Sequence, residues 1–320
     1  MISLNVRAYE IANKMVLEAE ALNISVKKLA CGTTLIDAGI DVSGSFEAGR
    51  LFSEVCMSGL GKVDFCSIDY GNFVMPGVNV TVSHPVEACM ASQYAGWAVE
   101  VPKKNKKTFF AMGSGPARAL YGKEKLLQKL GIQEKSGLAV LTLETHKLPD
   151  EEVSLWIAEK CGLSPDRLII LAAPTASLVG SVQIAARVIE TGLHKMGELD
   201  FDIREIISGF GICPIAPIDK DDLHAIGRTN DAVLYGGKVW YTAKADPERI
   251  AKIIEQLPSS ASKDYGTPFY DLFQRYDCDF YKIDPLLFSP AEVYINNISN
   301  GLTYHSGKVN PNILKRSMGT

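Results

Sequence analysis

The spacing of apolar and polar residues along the chain predicts alternating helices and strands. Residues 6–22 place Ile11, Met15 and Ala19 at helical spacing, with charged residues on the other faces, which is typical of an amphipathic helix. The same reasoning predicts helices at 46–59, 85–94, 150–161, 176–196, 219–227 and 246–256, and strands at 26–31, 63–70, 78–84, 95–101, 107–112, 138–143, 167–173 and 209–216, with a strand pair around 232–243. This mixed order favours an α/β (mixed α+β) fold.

The length of the chain indicates more than one domain. A chain of 320 residues is about the size at which hydrophobic cores divide. Since no long linker rich in glycine, proline or serine is present, the turn at 147–150 is the best candidate boundary. We therefore predict a first α/β domain over 1–148 and a second over 149–320, and the C-terminal segment could return to the first domain.

Composition limits the possible partners. The net charge of -4 and the absence of long basic runs argue against a nucleic-acid-binding protein, and we interpret the densest basic run, 103–107, as a solvated loop. The longest uncharged stretch, 168–186, is divided by Pro174, so a buried strand and helix explain it better than a membrane span. The N-terminus lacks the layout of a signal peptide.

The cysteines indicate a reducing compartment. There are seven, they are dispersed, and no pair has CxxC spacing. We therefore expect neither a disulfide framework nor a zinc site, and small buried apolar side chains are the simplest interpretation.

A polar stripe crosses the predicted helix at 176–196. This helix is apolar around most of its circumference, yet Gln183, Arg187, Glu190 and His194 follow one another at steps of four, three and four. Because unpaired charges are costly to bury, the stripe must face solvent, a partner or a cleft. Spacing alone favours an exposed, weakly stabilising Arg–Glu pair. The alternative is that Arg187 orients Glu190 as a general base in a cleft.

A glycine-containing loop follows the strand predicted at 107–112. The run Gly113-Ser114-Gly115-Pro116-Ala117-Arg118 has the strand, loop and helix-start layout of an anion-binding turn. It matches neither the Walker nor the dinucleotide pattern. A simple tight turn with Pro116 in the first turn of a helix fits these residues equally well.

Two further polar runs are candidates for binding or for turns. The run Gly227-Arg228-Thr229-Asn230-Asp231 could bind the polar edge of a ring, although its composition favours a turn that is hydrogen-bonded to itself. The run 279–285 alternates like a strand that leads into a proline turn, in which Asp284 would be a cap.

Four runs give the sequence a resemblance to one family. It resembles methenyltetrahydromethanopterin cyclohydrolase in Gly113-Ser114-Gly115-Pro116-Ala117-Arg118-Ala119-Leu120, Gly209-Phe210-Gly211-Ile212-Cys213-Pro214-Ile215-Ala216-Pro217, Gly227-Arg228-Thr229-Asn230-Asp231-Ala232 and Asp284-Pro285-Leu286-Leu287-Phe288-Ser289-Pro290-Ala291. The resemblance covers essentially the whole chain, and these motifs are long and specific.

The resemblance implies an activity and a site. It implies a cytoplasmic enzyme of one-carbon metabolism and methanogenesis, with two α/β domains, a substrate cleft between them, a homotrimeric assembly and no metal or cofactor. The family's catalytic Arg and Glu lie three residues apart on a helix, which matches Arg187 and Glu190. By position, the loops would bind the pterin or the tail of the carrier through Ser114, Gly115, Arg118, Arg228, Thr229, Asn230 and Asp231.

The implied reaction is the reversible hydrolysis of the methenyl cation to the 5-formyl carrier. Glu190 would accept a proton from the attacking water, and Arg187 would orient it. Another enzyme of the same carrier, a dehydrogenase or formyltransferase, is an alternative, although a dehydrogenase would need a redox partner and no dinucleotide fingerprint is present. A non-catalytic pterin-binding protein is a third possibility.

Overall fold

The computed structural model describes residues 2–103, 107–279 and 282–319. The chain forms two compact units, each made of two stretches of sequence: Met1–Gly61 with Glu87–Gln183, and Lys62–Val86 with Ile184–Thr320. Strands and helices alternate in both units, which confirms the predicted α/β fold. The domain division at 148/149 and the cleft between domains stay predictions.

The first unit contains a six-stranded mixed sheet. Its strand order is β1-β2-β8-β7-β6-β5, in which β2, β8 and β7 run parallel and the other neighbours are antiparallel. The strands are β1 Ser25–Lys28, β2 Thr34–Asp37, β5 Trp97–Val101, β6 Phe109–Ser114, β7 Ala139–Glu144 and β8 Leu168–Ala173. The α-helices are α1 Leu4–Leu17, α2 Phe46–Cys56, α3 Ala117–Tyr121, α4 Lys125–Leu130, α5 Glu151–Cys161 and α6 Leu178–Ala185, and a π-helix spans Val86–Gln93.

The central strand β8 divides the core of this unit into two layers. Its residues are buried throughout, and they alternate between two apolar clusters, Ile170 in one and Leu171 in the other. Helix α5 contributes Ile157 to the first cluster, whereas α1 and α2 contribute Ala8 and Leu51 to the second. A sheet covered on both faces explains why the run 168–173 is continuously apolar.

The second unit contains another six-stranded sheet. Its order is β12-β11-β10-β9-β4-β3, with β10 and β11 parallel, and β9 antiparallel to both β4 and β10. The strands are β3 Gly61–Asp69, β4 Val74–Val82, β9 Ile206–Pro214, β10 Lys238–Ala243, β11 Glu292–Asn297 and β12 Leu302–Gly307. The α-helices are α7 Val188–Glu198, α8 Asp222–Asp231, α9 Pro247–Ile253, α10 Phe269–Arg275 and α11 Pro311–Met318, and a π-helix spans Ala232–Gly236.

Several predicted elements need correction. The helix expected at 176–196 is divided into α6 and α7, and the first half of the strand pair at 232–243 is the π-helix that continues α8. In the described part of the run 279–285, the chain is not a strand, and Asp284 caps a short 3₁₀ helix through the backbone N–H of Leu286. Residues 280 and 281, and residues 104–106 of the basic run, lie outside the described residues.

Candidate active site

The predicted catalytic pair lies where helix α7 begins. Residues 186 and 187 form a turn between α6 and α7, and Arg187 has φ -82° and ψ 2°, so it is the residue that immediately precedes α7. Its carbonyl accepts a hydrogen bond from the N–H of Thr191 at 2.9 Å, as an N-cap carbonyl does. The break in the helix therefore places Glu190 in the first turn of α7 rather than in the middle of a long helix.

Arg187 and Glu190 form an ion pair that is largely withdrawn from solvent. The distance from Nη1 of Arg187 to Oε2 of Glu190 is 3.7 Å, and the side chains are 11% and 7% exposed. An acidic side chain in the first turn also interacts favourably with the partial positive charge of the helix N-terminus. The Arg187–Glu190 pair is therefore not the exposed ion pair that spacing alone favoured. His194 continues the stripe along α7 and lies 3.8 Å from Glu198.

Two glycines of β9 determine how closely α7 approaches the sheet. A Cβ added to Gly211 would lie 2.5 Å from Cγ1 of Val188, and one added to Gly209 would lie 2.8 Å from Cγ2 of Ile189. Both distances are too short for real Cβ atoms, so the first turn of α7 rests directly on the strand backbone. The glycines thereby set the position of the turn that carries Glu190.

The loop at 113–118 is a tight turn, and the N–H of Gly115 and the guanidinium of Arg118 both bond within the first unit. Ser114 is the buried last residue of β6, and Gly115 has φ +92°, a value that favours glycine. The N–H of Gly115 donates to the carbonyl of Ser92 at 2.8 Å. That N–H group is therefore already bonded within the protein, and the anion-binding interpretation gains no support from it.

Arg118 is a fully buried residue with partners of its own. Its Nε and Nη2 donate to the carboxylate of Glu124 at 2.8 and 2.5 Å, and its Nη1 donates to the carbonyls of Met90 and Ser92 at 3.1 and 3.0 Å. A Cβ at Gly96 would lie 1.9 Å from Glu124, so a glycine leaves the space for this pair. The arrangement supports a structural role, and the binding role of Arg118 stays a prediction.

The polar run at 227–231 is helical, and the predicted turn is wrong. These residues form the end of α8, where Thr229 donates to the carbonyl of Ala225 at 2.8 Å and Asn230 donates to that of Ile226 at 2.9 Å. Arg228 pairs with Asp219 at 2.9 Å. Short polar side chains can bond to carbonyls one turn earlier in a helix, and composition alone does not distinguish that case from a turn.

Asp231 lies at the end of α8 and is completely buried. Its Oδ1 accepts from the N–H of Phe269, at the start of α10, at 2.9 Å, and its Oδ2 accepts from the hydroxyl of Ser317 in α11 at 2.5 Å. Burial raises the pKa of Asp231 to about 7, against the smaller opposite effects of these two hydrogen bonds. Asp231 therefore links three helices, and its predicted role in substrate binding stays a prediction.

Comparison with known proteins identifies the family. The model of the family described as cyclohydrolase (MCH) matches residues 3–318. Proteins named methenyltetrahydromethanopterin cyclohydrolase from Methanocaldococcus jannaschii and Methanothermobacter marburgensis are each 46% identical to this chain, and the one from Methanococcoides burtonii is 41% identical. The alignments cover 100% of this chain and 99–100% of each relative. This chain belongs to the cyclohydrolase family.

Two glycines near the site of this cyclohydrolase, Gly209 and Gly211, have a role that the sequence alone does not indicate. Gly209 and Gly211 belong to a run that carries the family resemblance, but only the structure shows that they seat α7. Two glycines at an interval of two in a predicted strand were the available signal, since that spacing places both on one face.

Neither a metal cluster nor a membrane span is found in the part of this cyclohydrolase that the structure describes. Within residues 2–103, 107–279 and 282–319, histidine, cysteine, aspartate and glutamate side chains nowhere gather in a group of three or more that could hold a metal ion. Over the same residues, no helix is long and apolar enough to cross a membrane.

Proposed function

We propose that this cyclohydrolase catalyses the reversible hydrolysis of methenyltetrahydromethanopterin to 5-formyltetrahydromethanopterin. The observation that carries the proposal is the match over the whole chain to relatives that bear the name of this reaction's enzyme. The proposal places the reaction in the cytoplasm, as a step of one-carbon metabolism and methanogenesis.

The chemistry requires a positioned water and a base. The substrate carbon lies between two nitrogens in a cationic amidinium ring, so it is already electrophilic, and the proposal includes no metal or cofactor. Water attacks this carbon, a C–O bond forms, and the π electrons of the C–N bond neutralise the ring nitrogen. Glu190 accepts one proton of the water as the bond forms. Its negative charge also stabilises the cationic ground state and the charge that remains in the transition state.

The neutral adduct must then lose one C–N bond. Glu190, now protonated, returns its proton to the leaving nitrogen, and the C–N bond breaks as the hydroxyl becomes the formyl carbonyl. The proton of that hydroxyl leaves to solvent, so the sum is cation plus water giving formyl product plus one proton. Each step has a counterpart in reverse, which agrees with a reversible reaction.

The geometry of the Arg187–Glu190 pair supports these roles. Glu190 is 7% exposed and lies 3.7 Å from Arg187, so the carboxylate is partly withdrawn from water and held beside a fixed cation. A base in such surroundings interacts more strongly with a nearby cationic substrate than it would in water. Arg187 is proposed to orient the carboxylate, since its Nη1 lies 3.7 Å from Oε2 of Glu190.

A homotrimer is part of the proposal, and an aromatic face of the second sheet supports assembly. Phe210, Trp240, Tyr294 and His305 occupy directly paired positions on β9, β10, β11 and β12. Neighbouring rings lie 5.6, 5.0 and 4.2 Å apart. Because Gly209 and Gly211 point to α7, strand alternation directs Phe210 to the opposite face. An aromatic face that leaves Phe210 37% exposed is suited to a contact between subunits.

The assembly is tested by sedimentation of the purified protein. The wild type should have three times the mass of the 34.8 kDa chain, and Trp240→Glu should yield smaller species, because a charge that replaces a ring packed in an interface is costly to bury. Lys244→Glu provides a control at an exposed position of the same unit. A monomeric wild type would contradict the trimer, and an unchanged Trp240→Glu trimer would place the contact elsewhere.

The activity is tested with protein and methenyl substrate alone. We expect the methenyl absorbance to disappear without any added redox partner. An absolute need for a redox partner would instead favour a dehydrogenase, and a need for a formyl acceptor would favour a formyltransferase. Glu190→Gln should lower kcat about a hundredfold or more, the usual scale for a lost general base. Glu198→Gln is the matched control, because Glu198 is on the same helix but half-exposed.

The outcomes separate the reaction from the role of Glu190. If the wild type hydrolyses the substrate and Glu190→Gln retains full kcat, the reaction stands and the assigned base is wrong. If the wild type binds the substrate without turnover above the uncatalysed rate, the chain is a pterin-binding protein and the proposal fails.

A further inference from the structure

Tyr241 is a buried residue of β10 whose hydroxyl reaches helix α7. The side chain is 1% exposed, and its hydroxyl donates a hydrogen bond of 2.7 Å to the carbonyl of Ile189. Ile189 lies in the first turn of α7, between Arg187 and Glu190 in the sequence. The hydroxyl of Tyr241 thus bonds to the backbone of the same turn that carries the proposed base.

The next turn of α7 is shaped to admit this hydroxyl. A Cβ added to Gly192 would lie 2.2 Å from Oη of Tyr241, and no real Cβ atom tolerates that distance. A glycine in the interior of a helix makes the helix less stable than alanine would. The glycine at position 192 therefore lowers the local stability of α7, but it lets the Tyr241 hydroxyl of β10 approach the helix backbone.

The contacts fix α7 in more than one direction. Gly209 and Gly211 of β9 set how closely the helix approaches the sheet, through Ile189 and Val188. The Tyr241 hydrogen bond is directional, so it also limits sliding and rotation of the first turn. Because Glu190 is attached to that turn, a small movement of the turn changes where its carboxylate lies.

We propose that Tyr241 is a positioning residue for the hydrolytic reaction. By holding the carbonyl of Ile189, it keeps the first turn of α7 in the orientation that places the Glu190 carboxylate against the attacking water. This inference rests on the proposed function, because it needs Glu190 to act as the base. Tyr241 does not touch the reacting atoms in this role. It acts through the helix.

The test compares Tyr241→Phe with Tyr235→Phe in the complete protein. Tyr235 is also a buried tyrosine of the second unit; its hydroxyl donates to the carbonyl of Thr267 at 2.7 Å and accepts from the N–H of Gly266 at 3.2 Å, and neither partner belongs to α7. Both variants lose hydrogen bonding at a buried tyrosine, so both should lower the melting temperature. Only Tyr241→Phe should lower kcat, by about tenfold and with KM changed less than about twofold, because misplacing a base weakens the transition state more than substrate binding.

Gly192→Ala is a second variant that keeps the tyrosine. The added methyl group must displace the hydroxyl or the helix, so kcat should again fall with little change in KM. Gly197→Ala is its control, because Gly197 is also in α7 and a Cβ there meets no atom within 4 Å. This control should retain the wild-type kcat and be slightly more stable.

The combined results distinguish the inference from the proposed function. A Tyr241→Phe variant with wild-type kcat, alongside an inactive Glu190→Gln variant, would overturn the positioning role and leave the base in place. Equal losses of kcat in Tyr241→Phe and Tyr235→Phe would also overturn it, since a general loss of stability would explain both. If Glu190→Gln retains activity, the assignment of the base fails, and the positioning role fails with it.

Discussion

Val188 lies against Gly211 so closely that the strand has no room for a side chain there. A Cβ added to Gly211 would lie 2.5 Å from Cγ1 of Val188. Val188 is the first residue of α7 and follows Arg187 directly. The distance between helix and sheet, and hence the position of the candidate catalytic pair, depends on the absence of one methyl group from β9.

Gly211→Ala should therefore displace the beginning of α7. We expect a loss of about 1–3 kcal/mol in the free energy of unfolding, the usual scale for overpacking, and a fall in kcat. Denaturant unfolding and steady-state kinetics measure the two effects. Gly137→Ala is the control, because a Cβ at that exposed glycine meets no atom within 4 Å. Wild-type kcat in Gly211→Ala would show that the pair does not depend on this contact.

Much of the fold could be predicted from periodicity, and the exceptions have physical causes. The buried strand at 168–173 and the helix at 151–161 follow patterns that depend on the sequence nearby. Strands β11 and β12 were missed. Strand β12 is mostly exposed and carries a weak apolar signal, whereas β11 alternates between buried and less buried positions, which is the pattern of a strand. The break before Val188 was also missed, since neither proline nor glycine marks it.

The candidate site was less predictable than the fold. The spacing of Arg187 and Glu190 identified two side chains on one face, but only the structure shows that both are largely buried. Arg118 has the residue type of an anion ligand, yet its partners Glu124, Met90 and Ser92 come from distant or unpatterned positions. Sequence spacing reports on neighbours within a helix, and it contains little information on contacts between elements.

Arg118→Lys should reduce stability and leave substrate binding unchanged. Lysine keeps the charge but loses the fork that bonds to both oxygens of Glu124. With three N–H donors it also cannot make all four hydrogen bonds of Arg118, two of which go to the carbonyls of Met90 and Ser92. We expect a cost of about 2–4 kcal/mol in the free energy of unfolding, somewhat less than the roughly 3–5 kcal/mol for removing one partner of a buried ion pair, because lysine keeps the charge. Thermal unfolding and KM are the measurements. A large rise in KM of a stably folded variant would instead support the predicted binding role.

Asp231 should make the protein less stable as the pH rises from about 4 to about 7. Burial raises the pKa of its carboxyl to about 7 in the folded state, whereas the unfolded value is 3.8. Between these values the unfolded chain loses the proton and the folded chain keeps it, so ionisation favours unfolding. In this window the free energy of unfolding falls by up to about 1.4 kcal/mol per pH unit, and above pH 7 the effect of Asp231 no longer changes with pH.

Asp231→Asn should remove this contribution, because the amide does not titrate. The difference in unfolding free energy between the wild type and the variant, measured from pH 4 to 8, isolates Asp231 from other carboxyls. Asp271, which opposes ionisation of Asp231, and Arg316, which favours it, are retained in both proteins. A difference that does not vary with pH would contradict the shifted pKa.

Lys195 should have the opposite pH dependence. Its side chain is completely buried, and its Nζ donates to the carbonyl of Pro258 at 2.8 Å. Burial lowers the pKa of Lys195 to about 7 from 10.5, with Asp284 acting in the other direction. Between pH 7 and 10.5 the unfolded chain binds a proton that the folded chain does not. The free energy of unfolding therefore rises with pH across this window, by up to about 1.4 kcal/mol per unit.

Lys195→Met tests this dependence, because methionine fills a similar space and does not titrate. In denaturant unfolding from pH 7 to 10, the free energy of unfolding should rise more with pH in the wild type than in the variant. Lys244→Met is the control at an exposed lysine of the same unit, and it should retain the wild-type slope. Parallel slopes for the wild type and Lys195→Met would show that Lys195 is charged in the folded protein. In that case the carbonyl of Pro258 would not suffice as its partner, and Asp284 would have to balance a buried cation.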